Sequence, residues 1–286
     1  MNIKLVASDL DGTIIDKNNN IPEKNFDAIK QLHNKNIKFA ICTGKSYSVS
    51  KKVCEQFNAS FGIFGNGTQI IDLQTGKELL RNTLKYEDLL FVCTLAKRFN
   101  YHIHLYTEDE IITENLEYMD LRNFVLKSQN SNNSLNFKIV NDILKFVETS
   151  NLSVFSMIVS TEKDELTQFQ KLLSINENID FAYINKRGKY RDVIINKDYE
   201  YLNISPKHIN KNEALNFLSK YLKISKKEML TIGDNINDYE MIKDAGIGVA
   251  INSSFEPLKE VAKYVTTATV SEGAFAEAIS KFITNN

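Results

Sequence analysis

Short apolar runs alternate with amphipathic stretches through the first eighty residues of the chain. Residues 3–8, Ile-Lys-Leu-Val-Ala-Ser, form a nearly continuous apolar run, the pattern of a buried strand. Pro22 then opens a helical pattern in which Phe26, Ile29 and Leu32 recur every three residues, proline being tolerated at a first helical position. Residues 37–42 read as a second strand, 46–57 as a second helix and 61–64 as a third short strand. That rhythm predicts right-handed crossovers and a parallel sheet. After it, Ile70-Ile71-Asp72, the turn Gln74-Thr75-Gly76 and Glu78-Leu79-Leu80 predict a β-hairpin.

The last eighty residues repeat the rhythm. Residues 211–223 carry Leu215, Leu218 and Leu222 on one helical face. Residues 229–232 read as strand, 239–245 as helix, 247–251 as strand, 256–264 as helix and 273–283 as a closing helix. The middle follows a different pattern. Residues 86–99 are helical, 101–106 and 110–113 predict adjacent strands, and 152–159 a further strand. A helix over 162–173 and strands over 179–185 and 192–195 follow. Antiparallel pairs mixed with helices mark an α+β region, with the polar stretch 128–134 as a surface loop. The fold class expected is α/β: a Rossmann-like parallel-sheet core, residues 1–84 and 207–286, with an inserted α+β domain over 85–206.

Composition narrows the partners. The chain has 286 residues, 43% hydrophobic and 25% charged, enough to bury one large core or two moderate ones. With 35 basic and 36 acidic side chains the formal charge is -1, which gives no global attraction to nucleic acid or anionic membrane. Cys42, Cys54 and Cys93 are an odd count without metal-type spacing, as expected of reduced core thiols in a cytoplasm. No secretory leader pattern opens the chain, and no apolar stretch approaches membrane-spanning length.

Chemistry concentrates at predicted strand ends. Asp9-Leu10-Asp11-Gly12-Thr13 follows the first strand directly, and ligands gather at the carboxyl ends of strands in an open α/β sheet. Two aspartates one residue apart repel unless a cation bridges them or one is protonated, and magnesium suits such oxygen ligands. An acidic surface turn is the plainer reading of the same residues. Gly233-Asp234-Asn235-Ile236-Asn237-Asp238 follows another apolar strand. Asp234 is the natural direct ligand there, with Asn237 and Asp238 supporting it through hydrogen bonds. A helix cap explains one acidic residue of that run but not all of it. Thr43-Gly44-Lys45 ends the second strand, where a hydroxyl and a glycine amide suit phosphate oxygens, or form an ordinary turn. Lys211 opens a helix; facing the crevice it would neutralise phosphate, and otherwise it is a solvated lysine.

These four elements, in this order, resemble the haloacid dehalogenase superfamily: Asp9 to Thr13, Thr43, Lys211 and Gly233 to Asp238. The placement of the insert is similar to the Cof-type branch of sugar-phosphate phosphatases. Gly65-Asn66-Gly67, Tyr201-Leu202-Asn203-Ile204, Ala245 to Ala250, Tyr264-Val265-Thr266 and Glu272-Gly273 agree with that branch. One departure is Lys45, where the branch usually has arginine; lysine keeps the charge but not the planar bidentate contact.

The resemblance implies a magnesium-dependent phosphatase acting on phosphomonoesters of small metabolites. Asp9 would attack phosphorus and form an aspartyl-phosphate, while Asp11 would act as general acid and then base. Magnesium would be held by Asp9, the Asp11 carbonyl and Asp234, with Asp238 behind them. Thr43, Gly44, Lys211, Asn237 and the Leu10 backbone amide would hold the phosphate oxygens. The insert would be a lid that selects the leaving group. A phosphomutase, or a non-catalytic protein binding a phosphorylated ligand, are the alternatives. The expected partner is a small phosphorylated metabolite, without nucleic acid or membrane, in a cytoplasmic monomer or weak homodimer.

Smaller features carry plainer expectations. His102 and His104 share a strand face and read as a histidine pair beside a cleft or at the surface, rather than a metal pair lacking a third ligand. His33 and His208 read as solvent-facing. Tyr183, Lys186, Arg187, Lys189, Tyr190 and Arg191 are either a ligand-binding stretch or a solvated turn. Phe91, Phe99 and Phe124 read as core of the insert.

Overall fold

The computed structural model describes residues 2–116, 136–162, 166–183 and 199–284. In chain order, β1 (Leu5–Ser8) leads to α1 (Glu23–Asn34), β2 (Lys38–Cys42), α2 (Tyr47–Gln56), β3 (Phe61–Phe64) and the hairpin of β4 (Gln69–Asp72) and β5 (Lys77–Arg81). There follow α3 (Tyr86–Arg98), β6 (His102–Tyr106), β7 (Glu110–Thr113), β8 (Asn136–Ile139) and α4 (Ile143–Thr149). Next come β9 (Ser156–Glu162), α5 (Leu166–Leu173), β10 (Ile179–Tyr183) and β11 (Tyr199–Pro206). The chain continues through α6 (Lys211–Leu222), β12 (Met229–Gly233), α7 (Tyr239–Asp244), β13 (Ile247–Ala250), α8 (Glu256–Val261), β14 (Tyr264–Val265) and α9 (Ala274–Ile279). Two compact units result, one of Met1–Arg81 with Asn210–Asn286 and the other of Asn82–Ile209.

The first unit is an eight-stranded sheet in the order β14-β13-β12-β1-β2-β3-β4-β5. It is parallel from β14 to β3, and the hairpin adds two antiparallel strands at one edge. Because side chains alternate along a strand, β1 feeds both faces. Val6 packs with Phe39, Ile41, Ile232 and Val249 under α1 and α9, through Ile29, Leu32, Phe275 and Ile279. Leu5 and Ala7 pack on the other face with Ala40, Ile63 and Met229 under α6 and α7, through Leu215, Leu218, Met241 and Ile242. Each fully buried Leu, Ile or Phe stabilises by about 1.5–3 kcal/mol. A strand clad on both sides therefore tolerates almost no polar residue.

Two local expectations need correction here. Phe26 is 38% exposed rather than a core residue, although its ring packs on Phe57 at 5.2 Å. Asn25 turns inward instead, donating from Nδ2 to the Ile14 carbonyl at 3.1 Å and accepting from the Ala276 amide at 3.2 Å. Docking on α9 and on the loop after β1, rather than the apolar period alone, sets the rotation of α1. Likewise the helix expected over 256–264 stops at Val261, because the Lys263 amide bonds the Gly248 carbonyl and Tyr264 pairs as strand.

The second unit is a six-stranded sheet, β10-β11-β9-β6-β7-β8, antiparallel except between β7 and β8. Ile103, Leu105, Met157, Val159, Leu202 and Ile204 form a core with Leu89, Val92 and Cys93 of α3 and Leu166 and Phe169 of α5; Phe91 and Phe99 pack partly buried against it. β9 begins at Ser156, later than the expected 152, and runs to Glu162, the position expected to start a helix. The loop 128–134, Phe124, the strand 192–195 and the basic aromatic stretch 184–191 lie outside the described residues.

His102 and His104 share one face, but both are buried, contrary to a surface position. β6 is an inner strand, flanked by β9 and β7, which accounts for their depth. Their rings meet edge to face at 4.7 Å, and burial pushes His102 down to about 4 and His104 well below the usual imidazole range. Both rings are neutral at neutral pH. His208 is exposed, whereas His33 is half-buried with Nε2 3.0 Å from the Phe57 carbonyl. Among the described residues no helix is long and apolar enough to cross a membrane.

Candidate active site

β1 lies between β12 and β2, so the strand order reverses at its carboxyl end, the place where open α/β sheets hold ligands. Ser8 pairs with Ile232 on one side and with Ile41 on the other. The residues just beyond these positions, Asp9, Asp234 and Thr43, therefore emerge along a common edge. The Asp9 amide still donates to the Ile232 carbonyl at 3.0 Å. The chain then folds back, and the Leu10 carbonyl accepts from the amides of Thr13, Ile14 and Ile15 at 3.3, 2.9 and 2.8 Å. Gly12 makes this turn with φ +81°, and a Cβ on it would stand 2.5 Å from Asp234 Oδ2. Glycine is needed twice over: for the left-handed backbone and for the carboxylate lying against it.

The cation of the cluster comes from α6. Asn210 caps that helix by accepting from the Glu213 amide at 2.8 Å, which leaves Lys211 in the first turn. Lys211 is fully buried, and its Nζ donates to Asp9 Oδ1 at 2.6 Å and to Asp238 Oδ1 at 2.7 Å. The second oxygen of Asp238 accepts from the amides of Asp234 and Asn235, each at 3.0 Å. Asp238 thus has both oxygens committed and braces the loop after β12.

Burial dominates the electrostatics. It pushes Asp9 up to about 8, with Lys211 opposing and Asp238 and Asp234 adding repulsion. Asp234 is pushed up to about 6, by burial first and by Asp238 next. Burial also works against the charge of Lys211, but Asp238 and Asp9 outweigh it and hold the ammonium charged. Cys42, at the end of β2, has its thiol raised by burial and is no nucleophile.

The residues fit a hard dication. Asp9, Asp234 and Asp238 each offer an oxygen, all within 4.8 Å of one another. Three carboxylates face one ammonium, and two of them hold protons unusually tightly, as expected of a cluster short of positive charge. Since Asp238 is saturated by Lys211 and two amides, Asp9 and Asp234 are the ones left to ligate.

Other predicted residues divide between the cluster and its rim. Thr43 is buried and its Oγ1 accepts from the Lys45 amide at 3.2 Å. Asp11 turns its carboxylate outward, where Oδ1 accepts from Lys45 Nζ at 2.7 Å. Asn237 donates from Nδ2 to Asn66 Oδ1 at 2.9 Å, and a Cβ on Gly44 would meet the Asn66 carboxamide at 3.2 Å. Asn66 also donates its amide to the Thr43 carbonyl at 3.0 Å. It therefore links the loop after β2 to the loop after β12, a position that sequence reasoning did not assign. Its signal was an asparagine between two glycines at a strand end, where a left-handed residue is wanted; its φ is 57°.

A profile of haloacid dehalogenase-like hydrolases matches residues 6–279. The chain belongs to that family. This hydrolase is 27% identical over 289 residues to a Streptococcus pyogenes relative, M6_Spy0533, with 100% of each chain covered. It is 25% identical over 296 residues to the 5-amino-6-(5-phospho-D-ribitylamino)uracil phosphatase of Bacillus subtilis, covering 99% of this chain and 97% of that one. Among solved structures, a haloacid dehalogenase-like hydrolase from Bacteroides thetaiotaomicron superposes with a TM-score of 0.80 at 24% identity, covering 98% of this chain and 100% of the other. That likeness shows the fold.

Proposed function

We propose that this hydrolase is a magnesium-dependent phosphatase for phosphomonoesters of small polyhydroxylated metabolites, sugar phosphates among them. The observation that carries the reading is Asp9 itself, a carboxylate at the end of β1 with Lys211 Nζ at 2.6 Å and Asp234 beside it. Similarity to a phosphatase named for a phosphorylated ribityl compound supports the substrate class.

Asp9 attacks phosphorus in line and becomes an aspartyl-phosphate, splitting one difficult displacement into two. Lys211 is fixed by two carboxylates before substrate arrives, so its charge costs no reorganisation when the phosphoryl group transfers. Thr43, Gly44, Asn237 and the Leu10 amide hold phosphate oxygens, and Asn66 keeps Asn237 against the Gly44 loop. Asp11 protonates the departing alkoxide and then takes a proton from the water that hydrolyses the acyl phosphate. Asp9, Asp234 and the Asp11 carbonyl would hold magnesium, which supplies charge screening between nucleophile and phosphate. Asp238 keeps Lys211 and the Asp234 loop in register.

The test is release of inorganic phosphate from a panel of phosphorylated metabolites, with and without chelator. Magnesium-dependent release that disappears in Asp9→Asn is the expected result. Full activity after chelation sinks the metal role, and full activity of Asp9→Asn sinks the nucleophile. Transfer of phosphoryl to an added sugar without phosphate release replaces hydrolysis by mutase chemistry.

A further inference from the structure

Among the described residues, Lys45 is the one lysine of the strand-end loops that bonds an active-site carboxylate other than Asp9 and Asp238. Its backbone is pinned on both sides: the amide donates to Thr43 Oγ1 at 3.2 Å and the carbonyl accepts from the Gly65 amide at 2.9 Å. From that fixed base the ammonium reaches Asp11 Oδ1 at 2.7 Å, across 34 positions of sequence. Both side chains are substantially exposed, 39% for Lys45 and 48% for Asp11. An exposed pair of this kind adds little to stability. It does, however, fix where one carboxylate points.

We infer that Lys45 is a positioning residue for Asp11, tethering one carboxylate oxygen so that the other is presented to the leaving group. The inference rests on the assignment of Asp11 as general acid and base. The proton passes from the free oxygen of Asp11 to the ester oxygen as the phosphorus–oxygen bond breaks, and Lys45 gives up no proton. Without the tether the Asp11 side chain samples its rotamers in solvent and spends less time aligned. The loss falls mainly on esters whose leaving group needs a proton. An alkoxide needs it and a nitrophenolate does not, so the two ester types separate positioning of the acid from binding of the phosphoryl group.

The experiment measures kcat/KM, which reports steps up to departure of the leaving group, for an alkyl phosphate and for p-nitrophenyl phosphate. It compares wild type, Lys45→Met, Lys45→Arg, Asp11→Asn and the double variant. General acid catalysis is worth roughly 10²–10⁴-fold, so a misaligned acid is expected to lower the alkyl-to-aryl ratio about tenfold in Lys45→Met. Lys45→Arg, which keeps a donor and a charge, is expected to restore most of the ratio. In the Asp11→Asn background, Lys45→Met should change the ratio no further. An equal fall for both esters overturns the inference and makes Lys45 a phosphate ligand; an unchanged ratio overturns it as well. Failure of the underlying reading looks different, because wild type would then hydrolyse neither ester, or Asp9→Asn would retain activity.

Discussion

Two lysines meet aspartates in this site, and they do so in opposite surroundings. Lys211 is wholly buried between Asp9 and Asp238, whereas Lys45 meets Asp11 in the open. Distances barely differ, at 2.6 and 2.7 Å against 2.7 Å. What differs is the medium. In the interior each charge has lost its water, so removing one partner leaves another charge stranded. At the surface water replaces whichever partner is lost, and only orientation is at stake. One bond geometry therefore serves as an electrostatic keystone in one place and as a directional tether in the other.

The largest expected effect comes from emptying the buried side of its nucleophile. Asp9→Asn should lower phosphate release by about 10⁴-fold or more while the circular dichroism spectrum stays native, since a reaction unit fails as a whole. Next, Lys211→Met strands Asp9 and Asp238 together, and the cost in stability is expected at about 3–5 kcal/mol, read as a fall in denaturant midpoint. Adding Asp238→Asn should recover part of that stability and none of the activity. If Lys211→Met melts like wild type, the contrast with Lys45 fails.

A smaller effect follows from proton linkage. Asp9 at about 8 and Asp234 at about 6 both lie above the ordinary carboxylate value of 3.8. Between pH 4 and 8 these two carboxyls therefore hold protons in the folded, chelated protein that they have lost in the unfolded chain, whereas the buried neutral His102 and His104 hold fewer than their unfolded counterparts. The contribution of the two aspartates to stability is lost as pH rises through that window, and that of the two histidines is gained as pH rises toward 6.5. A dication competes with those protons, so the thermal shift produced by magnesium should be larger at pH 8 than at pH 5.5. Equal shifts at the two pH values would remove Asp9 and Asp234 as ligands. The least effect belongs to the rim: Asn66→Ala deletes the acceptor of Asn237, and one hydrogen bond of about 0.5–1.5 kcal/mol corresponds to a two- to tenfold rise in KM.

The layout of the sheet could be read from the chain because β1, β2 and β12 are mostly apolar runs, and acidic or hydroxyl residues follow each at once. Nearness of Asp9 to Asp234 follows from that placement alone. Partner choice does not. Lys211 is lysine at a helix start, and nothing in its neighbours indicates complete burial between two aspartates; that comes from α6 lying against the loop after β12. Lys45 and Asn66 were equally opaque, since their partners depend on how three loops stack at one edge. Asn25 and Phe26 show the same limit in miniature, with helix rotation fixed by hydrogen bonds to α9 and to the loop after β1. His102 and His104 alternate as a surface pair would, yet an inner strand buries both.

The neighbour of β1 is β12, encoded more than two hundred residues later, and this order has a consequence for birth on the ribosome. When β5 has emerged, β1 still offers an open edge, and synthesis of the stretch up to β12 takes on the order of 10 s at usual elongation rates. Through that interval a nascent chain carries Asp9 without Lys211 or Asp234, and exposes a row of unpaired amides and carbonyls to other chains. Phosphoryl chemistry is thereby withheld from any truncated product, at the expense of a vulnerable half-sheet during translation.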